Sequence, residues 1–285
     1  MKKRTLPDTR EIGLEIGLIF ANHFLKTEHL HYGYWPDDLP VELFNLPQAQ
    51  EKYSDFICSH IPEGTRTLLD VGCGAGRNAW KLINRGYQVD CVSPSPVLTE
   101  HARTLLGDKS HIFECRYEHL HTENRYDVVL FCESFQYIPL EKALQNSLEF
   151  LHDGGYLMIS DFFKTDVKGK SALGGGHKLS KFYDIISKYS FYPVEDIDMT
   201  HETAPNLKIV NDVCINVGLP TWNLIMYYLN THYPFVSKVL QWKYRNKIDT
   251  INRKYFSGER NEENFKLYKS YRLLLYRKIK STITY

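Results

Sequence analysis

Hydrophobic positions along the chain change their period near residue 66. Before it, Ile16, Ile19, Phe20 and Phe24 recur at helical spacing, and a second helical stretch runs over about 45–60. The Gly and Pro of HYGYWPDDLP (31–40) part the two as a loop. Beyond residue 66, short apolar runs alternate with helical segments. TLLDV (67–71), YQVDCV (87–92), HIFEC (111–115), YDVVLFC (126–132) and YLMISDFF (156–163) predict buried strands. Residues 76–85, closed by Gly86, predict a helix, as do 96–106, opened by Ser95-Pro96, and 139–151, stopped at Asp153-Gly154-Gly155. Strands joined by helices of this length imply right-handed crossovers and a parallel sheet covered on both faces. KLSKFYDIISKY (178–189) predicts a further helix and FYPVEDIDMT (191–200) a sixth strand. Residues 202–256 are helical in spacing and rich in aromatics, and FKLYKSYRLLLYRK (265–278) predicts a last strand. The expected organisation is an N-terminal helical segment (1–65), an α/β core (66–200), a helical insertion (201–264) and the last core strand (265–285).

Composition narrows the class. The 285 residues are 43% hydrophobic and 24% charged, as in a folded globular chain rather than a disordered one. The net charge of +1 gives no global pull toward nucleic acid. Six scattered cysteines without a CxxC pair argue against a disulfide framework and a structural zinc site, so no metal is expected and a reducing, cytoplasmic setting is. The opening MKKRTLPDTREIG has no apolar stretch behind its basic residues, so no signal peptide is expected. No run of 18 apolar residues occurs, and no membrane span is expected. From residue 238 onward, 13 Lys and Arg face 4 Asp and Glu, which leaves peripheral membrane contact open.

The most informative segment is LLDVGCGAGR (68–77). A strand delivers Asp70, Gly72, Gly74 and Gly76 follow, and a helix begins. Glycines at such a turn let the backbone bend sharply and approach a ligand, toward which the helix presents free N–H groups. The spacing departs from a dinucleotide fingerprint: Arg77 stands where the third glycine belongs, and Ser93 where an acid should close the second strand. No Gly-Lys-Ser/Thr follows, which excludes a P-loop. A phosphate-free cofactor carrying a carboxylate and an amine fits, and S-adenosylmethionine (SAM) is such a molecule.

VGCGAGR, YDVVLFCESFQYI (126–138) and LHDGGYLMISDFF (151–163), in that order and spacing, resemble the motifs of class I SAM-dependent methyltransferases over roughly residues 66–200. The resemblance implies a Rossmann-like sheet of seven strands in the order 3-2-1-4-5-7-6, the last antiparallel. It implies that Asp70 and the backbone of Gly72, Gly74 and Gly76 hold the methionine moiety, that Glu118 flanks the adenine, and that Cys132 and Glu133 lie beside the transferable methyl. Most of these enzymes place an acid on the ribose where this chain has Ser93. A small hydroxyl residue there, together with Glu133-Ser134 and Gln136-Tyr137, is similar to enzymes of the cyclopropane-fatty-acid-synthase, terpenoid and sterol type. Tyr32 and Trp35 of HYGYW are similar to an aromatic segment near the SAM site of small-molecule members.

A methyl transfer needs a nucleophile held in line and, for an oxygen or carbon acceptor, a base. Glu133, at the carboxyl end of a central strand, and His177, after the glycines at 174–176, are the candidates. The apolar stretch 219–244 is expected to cap the cleft as a lid, favouring a hydrophobic or aromatic natural product or lipid-like precursor. Two alternatives stand beside this small-molecule reading. One is an RNA methyltransferase, disfavoured because Cys132-Glu133-Ser134-Phe135 replaces an Asn/Asp-Pro-Pro-Tyr-like tetrad, so no nucleic-acid partner is expected. The other is a non-catalytic SAM-binding subunit. Residue pattern leaves the acceptor atom and the oligomeric state open.

Overall fold

A computed structural model describes residues 9–169 and 171–279. The chain opens with α1 (Thr9–Phe20) and α2 (Leu46–Ser59). The alternating region follows as β1 (Thr67–Val71), α3 (Arg77–Asn84), β2 (Gln88–Val92), α4 (Pro96–Leu106), β3 (Ile112–Phe113), β4 (Tyr126–Cys132), α5 (Leu140–Phe150), β5 (Leu151–Lys164), α6 (Leu179–Ile186) and β6 (Phe191–Asp198). Five helices, α7 (Thr200–Thr203), α8 (Pro205–Val213), α9 (Leu219–His232), α10 (Pro234–Ile251) and α11 (Glu262–Tyr268), precede β7 (Lys269–Lys278).

The seven strands form one sheet in the order β3-β2-β1-β4-β5-β7-β6. β1 through β5 pair in parallel, and β7 runs antiparallel between β5 and β6. This is the Rossmann-like class I methyltransferase sheet expected from the sequence. Period-2 alternation divides its side chains between two cores. Leu68, Leu130, Met158, Leu273 and Leu275 pack under α2, α3 and α4, while Leu69, Val129, Phe131, Leu157, Ile159 and Leu274 pack under α5 and α6. Parallel pairing sets the carboxyl ends of β1 and β4 side by side, with Val71 opposite Phe131, and Cys132 opposite Ser160 of β5. Functional side chains in such sheets gather at that edge.

Two element boundaries need correction. α5 ends at Phe150, and Asp153-Gly154-Gly155 lie inside β5. A register shift beside β4 admits that extra stretch of backbone. β7 begins at Lys269 rather than 265. Asn261 caps α11 by accepting the Asn264 N–H, and the acids Glu262 and Glu263 favour the helix start, so 262–268 coil instead of extending. Ile16, Ile19, Phe20 and Phe24 share a face, but that face is exposed; Leu18 and Leu25 are buried instead. The glycines at 174–176 are tied down: Lys269 Nζ donates to the Gly174 and Gly175 carbonyls at 2.9 and 2.6 Å, and Gln136 Oε1 accepts the Gly176 N–H.

Candidate functional site

The glycine bend uses its three glycines for different reasons. All three have positive φ, at 79°, 57° and 88°. A Cβ on Gly72 would strike Ser134, whose hydroxyl donates to the Val71 carbonyl and ties the end of β4 to the bend. A Cβ on Gly76 would meet Ala102 of α4 at 3.1 Å. Only at Gly74 is the missing side chain not required by the protein's own packing, since a Cβ there meets nothing nearer than Leu30 at 3.6 Å. Gly72 and Gly76 therefore serve the approach of neighbouring elements, and Gly74 is the member free to face a ligand.

Asp70, one residue before the end of β1, is 1% exposed, and its Oδ2 has no hydrogen-bond partner. Burial alone pushes its carboxyl up to about 7. An unpartnered buried carboxylate next to an open glycine is costly unless a cation arrives. An ammonium group supplies that cation, so the residues present fit the amino-acid end of SAM. Ser93 is buried just past β2, its N–H donating to Phe113. Glu118 is half-buried in the turn Tyr117–His119. Neither has a ligand-facing contact that assigns it a role.

Glu133 follows β4 in a left-handed backbone conformation, φ 56°, which is costly for a residue with a side chain. Its N–H donates to the Ser160 carbonyl, and its Oε1 accepts the Tyr32 N–H at 2.7 Å and the Tyr271 hydroxyl at 2.8 Å. Tyr271 Oη lies 2.9 Å from Tyr53 Oη, which lies 2.7 Å from Ser160 Oγ. Burial pushes the Glu133 carboxyl up to about 8; the Tyr32 N–H opposes that rise, the Asp161 charge adds to it, and the Tyr271 hydroxyl opposes it. Asp161, buried on β5, is pushed up to about 7 by the same loss of water. The N–H groups of Gln136 and Phe162 hold it in place. Cys132 is held as a thiol by burial and by the neighbouring carboxylates of Asp70 and Glu133.

Of the HYGYW cluster only Tyr32 reaches this edge, its ring among Phe162, Phe265 and Tyr271. Trp35, expected at the cofactor, instead fills a small separate core with Leu39, Ala49 and Ile209. His177, expected beside the acceptor, sets its Nε2 3.2 and 2.9 Å from the Phe135 and Ile138 carbonyls, where it braces the turn after β4. Two carbonyls require a donor at that nitrogen, so His177 braces the turn through Nε2, and burial lowers its pKa.

Sequence reasoning missed Tyr53, Ser160, Asp161 and Tyr271, which come from distant segments. It also missed a histidine pair, buried His29 and half-buried His31, with Nδ1 and Nε2 2.9 Å apart. His31 Nδ1 lies 2.7 Å from the Tyr32 carbonyl, and His29 Nε2 lies 3.0 Å from Glu51. Burial and the neighbouring His29 push His31 down to about 3, so it is a neutral strut behind Tyr32. Arg260 approaches from the insertion. It stacks on Tyr255, its Nε is buried without a partner, and it has no ion pair among the described residues. Its charge favours ionisation of the Tyr32 hydroxyl, which burial opposes more strongly.

With a glycine bend, an unpartnered aspartate and a half-buried glutamate on one sheet edge, the comparison with known families is direct. A family described as a methyltransferase domain matches residues 69–159, the span from β1 to β5. Residues 69–159 thus carry a methyltransferase domain, set in the class I SAM-dependent methyltransferase fold. A malonyl-acyl-carrier-protein O-methyltransferase of Ilyobacter polytropus is 29% identical over 174 residues, covering 58% of this chain and 62% of that relative. The chain thus matches somewhat under two thirds of that protein's length. A ubiquinone biosynthesis O-methyltransferase of Rickettsia felis is 24% identical, covering 67% of this chain and 88% of the relative. A geranyl diphosphate C-methyltransferase from Streptomyces coelicolor A3(2), solved with S-adenosyl-L-homocysteine, shares the fold at a TM-score of 0.64 and 16% identity, covering 96% of this chain and 100% of that one.

Proposed function

We propose that this methyltransferase acts on a small apolar or lipid-like molecule and that Glu133 receives the acceptor's proton. The supporting observation is Glu133 itself. A half-buried carboxylate on strained backbone, gripped by Tyr32 and Tyr271, stands just past the strand end next to the glycine bend. A group with its pKa near 8 is suited to exchange a proton near neutral pH. Similarity to enzymes that methylate small molecules supports the acceptor class.

SAM, when bound, supplies a methyl group made electrophilic by its sulfonium sulfur. Asp70 would hold the ammonium of its amino-acid end, and the backbone around Gly74 would lie against that end. Ser93 and Glu118 would flank its ribose and adenine. The rings of Tyr32, Phe162, Phe265 and Tyr271 keep water away from Glu133. A cation in the site favours the ionised form of Glu133, which is the form that accepts a proton. Tyr271 orients that carboxylate, and Tyr53 and Ser160 extend the hydrogen-bonded chain behind it. Arg260 offers a cation without an ion-pair partner among the described residues, which suits an acceptor with an anionic end.

Methyl-labelled SAM tests the reading against apolar hydroxy acids, their neutral esters and total RNA. The reading expects label on the hydroxyl oxygen of a small hydroxy acid, lost in Glu133→Gln. Label confined to RNA, or unchanged in Glu133→Gln, contradicts it.

A further inference from the structure

We propose that α9 and α10 form a docking hairpin for the interfacial layer of an anionic lipid bilayer. The hairpin leaves many of its apolar side chains exposed. α9 and α10 pack chiefly on each other and on the turns at 214–218 and 252–256. Their one buried side chain is Ser237, a polar residue. Between the helices, Ser237 Oγ lies 2.6 Å from Asn230 Oδ1, and Gln241 Nε2 donates to both at 2.9 and 3.0 Å. The outer surface carries the apolar groups: Leu224 is 69% exposed, Tyr227 70%, Phe235 79% and Trp242 81%. Tyr228, Tyr233, Val236, Val239 and Leu240 are exposed with them. Apolar groups exposed in this number suit a hydrocarbon neighbour and are costly against water.

Charge selects the occupant. Residues 214–237, which include all of α9 and the hairpin tip at Tyr233-Pro234-Phe235, contain no Asp, Glu, Lys or Arg. The following stretch to Phe256 carries Lys238, Lys243, Arg245, Lys247, Arg253 and Lys254 against the single acid Asp249. An uncharged aromatic tip followed by a basic shank is the arrangement of a segment that buries rings at the headgroup boundary and keeps lysines among anionic headgroups. A second copy of the same face would instead set like charges against one another. No described helix is long and apolar enough to cross a membrane, which fits docking on its surface. The proposal does not rest on methyl transfer, because vesicle binding is read without turnover.

Flotation of the full chain with phosphatidylcholine–phosphatidylglycerol vesicles, and with phosphatidylcholine alone, tests it. Binding is expected to the anionic vesicles and to weaken at least about tenfold in high salt and in Lys243→Glu/Lys247→Glu. Phe235→Ser/Trp242→Ser, at exposed positions, is expected to lose about tenfold or more of the partition with SAM affinity unchanged. Failure to float, or equal flotation of the aromatic variant, overturns the proposal. So does a dimer by light scattering that dissociates in the aromatic variant while vesicle binding is absent.

Discussion

Asp70 lies near the end of β1 and Glu133 just past the end of the neighbouring β4; Asp70 is buried, Glu133 half-buried, and both carboxyls are pushed upward, to about 7 and about 8. They differ in what surrounds them. Glu133 is gripped by a backbone N–H and a tyrosine hydroxyl on a strained turn, whereas one oxygen of Asp70 has no partner. A carboxylate whose bonds are filled by its own protein is being positioned for later use. A carboxylate left empty in an apolar surrounding is waiting for a charge to arrive. The same sheet edge thus divides into a half that prepares a proton acceptor and a half that receives a cation.

The largest effect that sharpens this division is Glu133→Gln. Turnover is expected to fall by about 10²–10⁴ while SAM affinity changes by no more than a few-fold. Calorimetry and single-turnover assays check both, and an equal loss of binding would erase the distinction. Asp70→Asn is expected to show the reverse, weakening SAM by about 10–100-fold through loss of a charged partner. A drop in turnover at saturating SAM much larger than that would move Asp70 into the chemistry.

The glycines separate next. Gly72→Ala forces a Cβ onto Ser134 and is expected to lower the melting temperature. Gly74→Ala finds open space, costs about 1–2 kcal/mol for its left-handed backbone, and is expected to stay folded while losing SAM affinity. Thermal melts with and without SAM compare the two, and similar behaviour in both variants would refute the distinct roles. The smallest effect is in Tyr271→Phe. Its hydroxyl holds the Glu133 pKa down, so removing it is expected to move the rising limb of the pH–rate profile upward. A fall in rate with no shift of that limb would make Tyr271 merely a packing residue.

Much of the fold was legible because strand and helix periods and the glycine bend are local signals. Strand ends were legible as well: once the order places β1 beside β4, Asp70, Cys132 and Glu133 must lie together. The left-handed turn at Glu133 was hidden, since no glycine marks it. Tyr271 and Tyr53 stand 218 positions apart, and their contact exists only after β7 inserts beside β5 and α2 packs on that face. Trp35 and His177 were placed by proximity in sequence to Tyr32 and to the glycines. Side-chain direction sends Trp35 toward Ile209 and the His177 Nε2 toward two backbone carbonyls. The boundary errors at Phe150 and Lys269 arose where capping and register, rather than hydrophobic period, end an element.

Because Asp70 gains its charge only as pH rises through about 7, SAM affinity itself reports its state. A folded pKa raised above the usual carboxylate value also means that the unliganded protein loses stability as pH rises toward 7, and a bound cation restores it. Titration calorimetry of SAM against the wild type and Asp70→Asn, between about pH 5 and pH 9, measures this directly. The account predicts wild-type affinity that weakens by up to about tenfold per pH unit below 7, and a variant that binds weakly with no such slope. Equal slopes in both proteins, or no binding of SAM to the wild type at any pH, would contradict it.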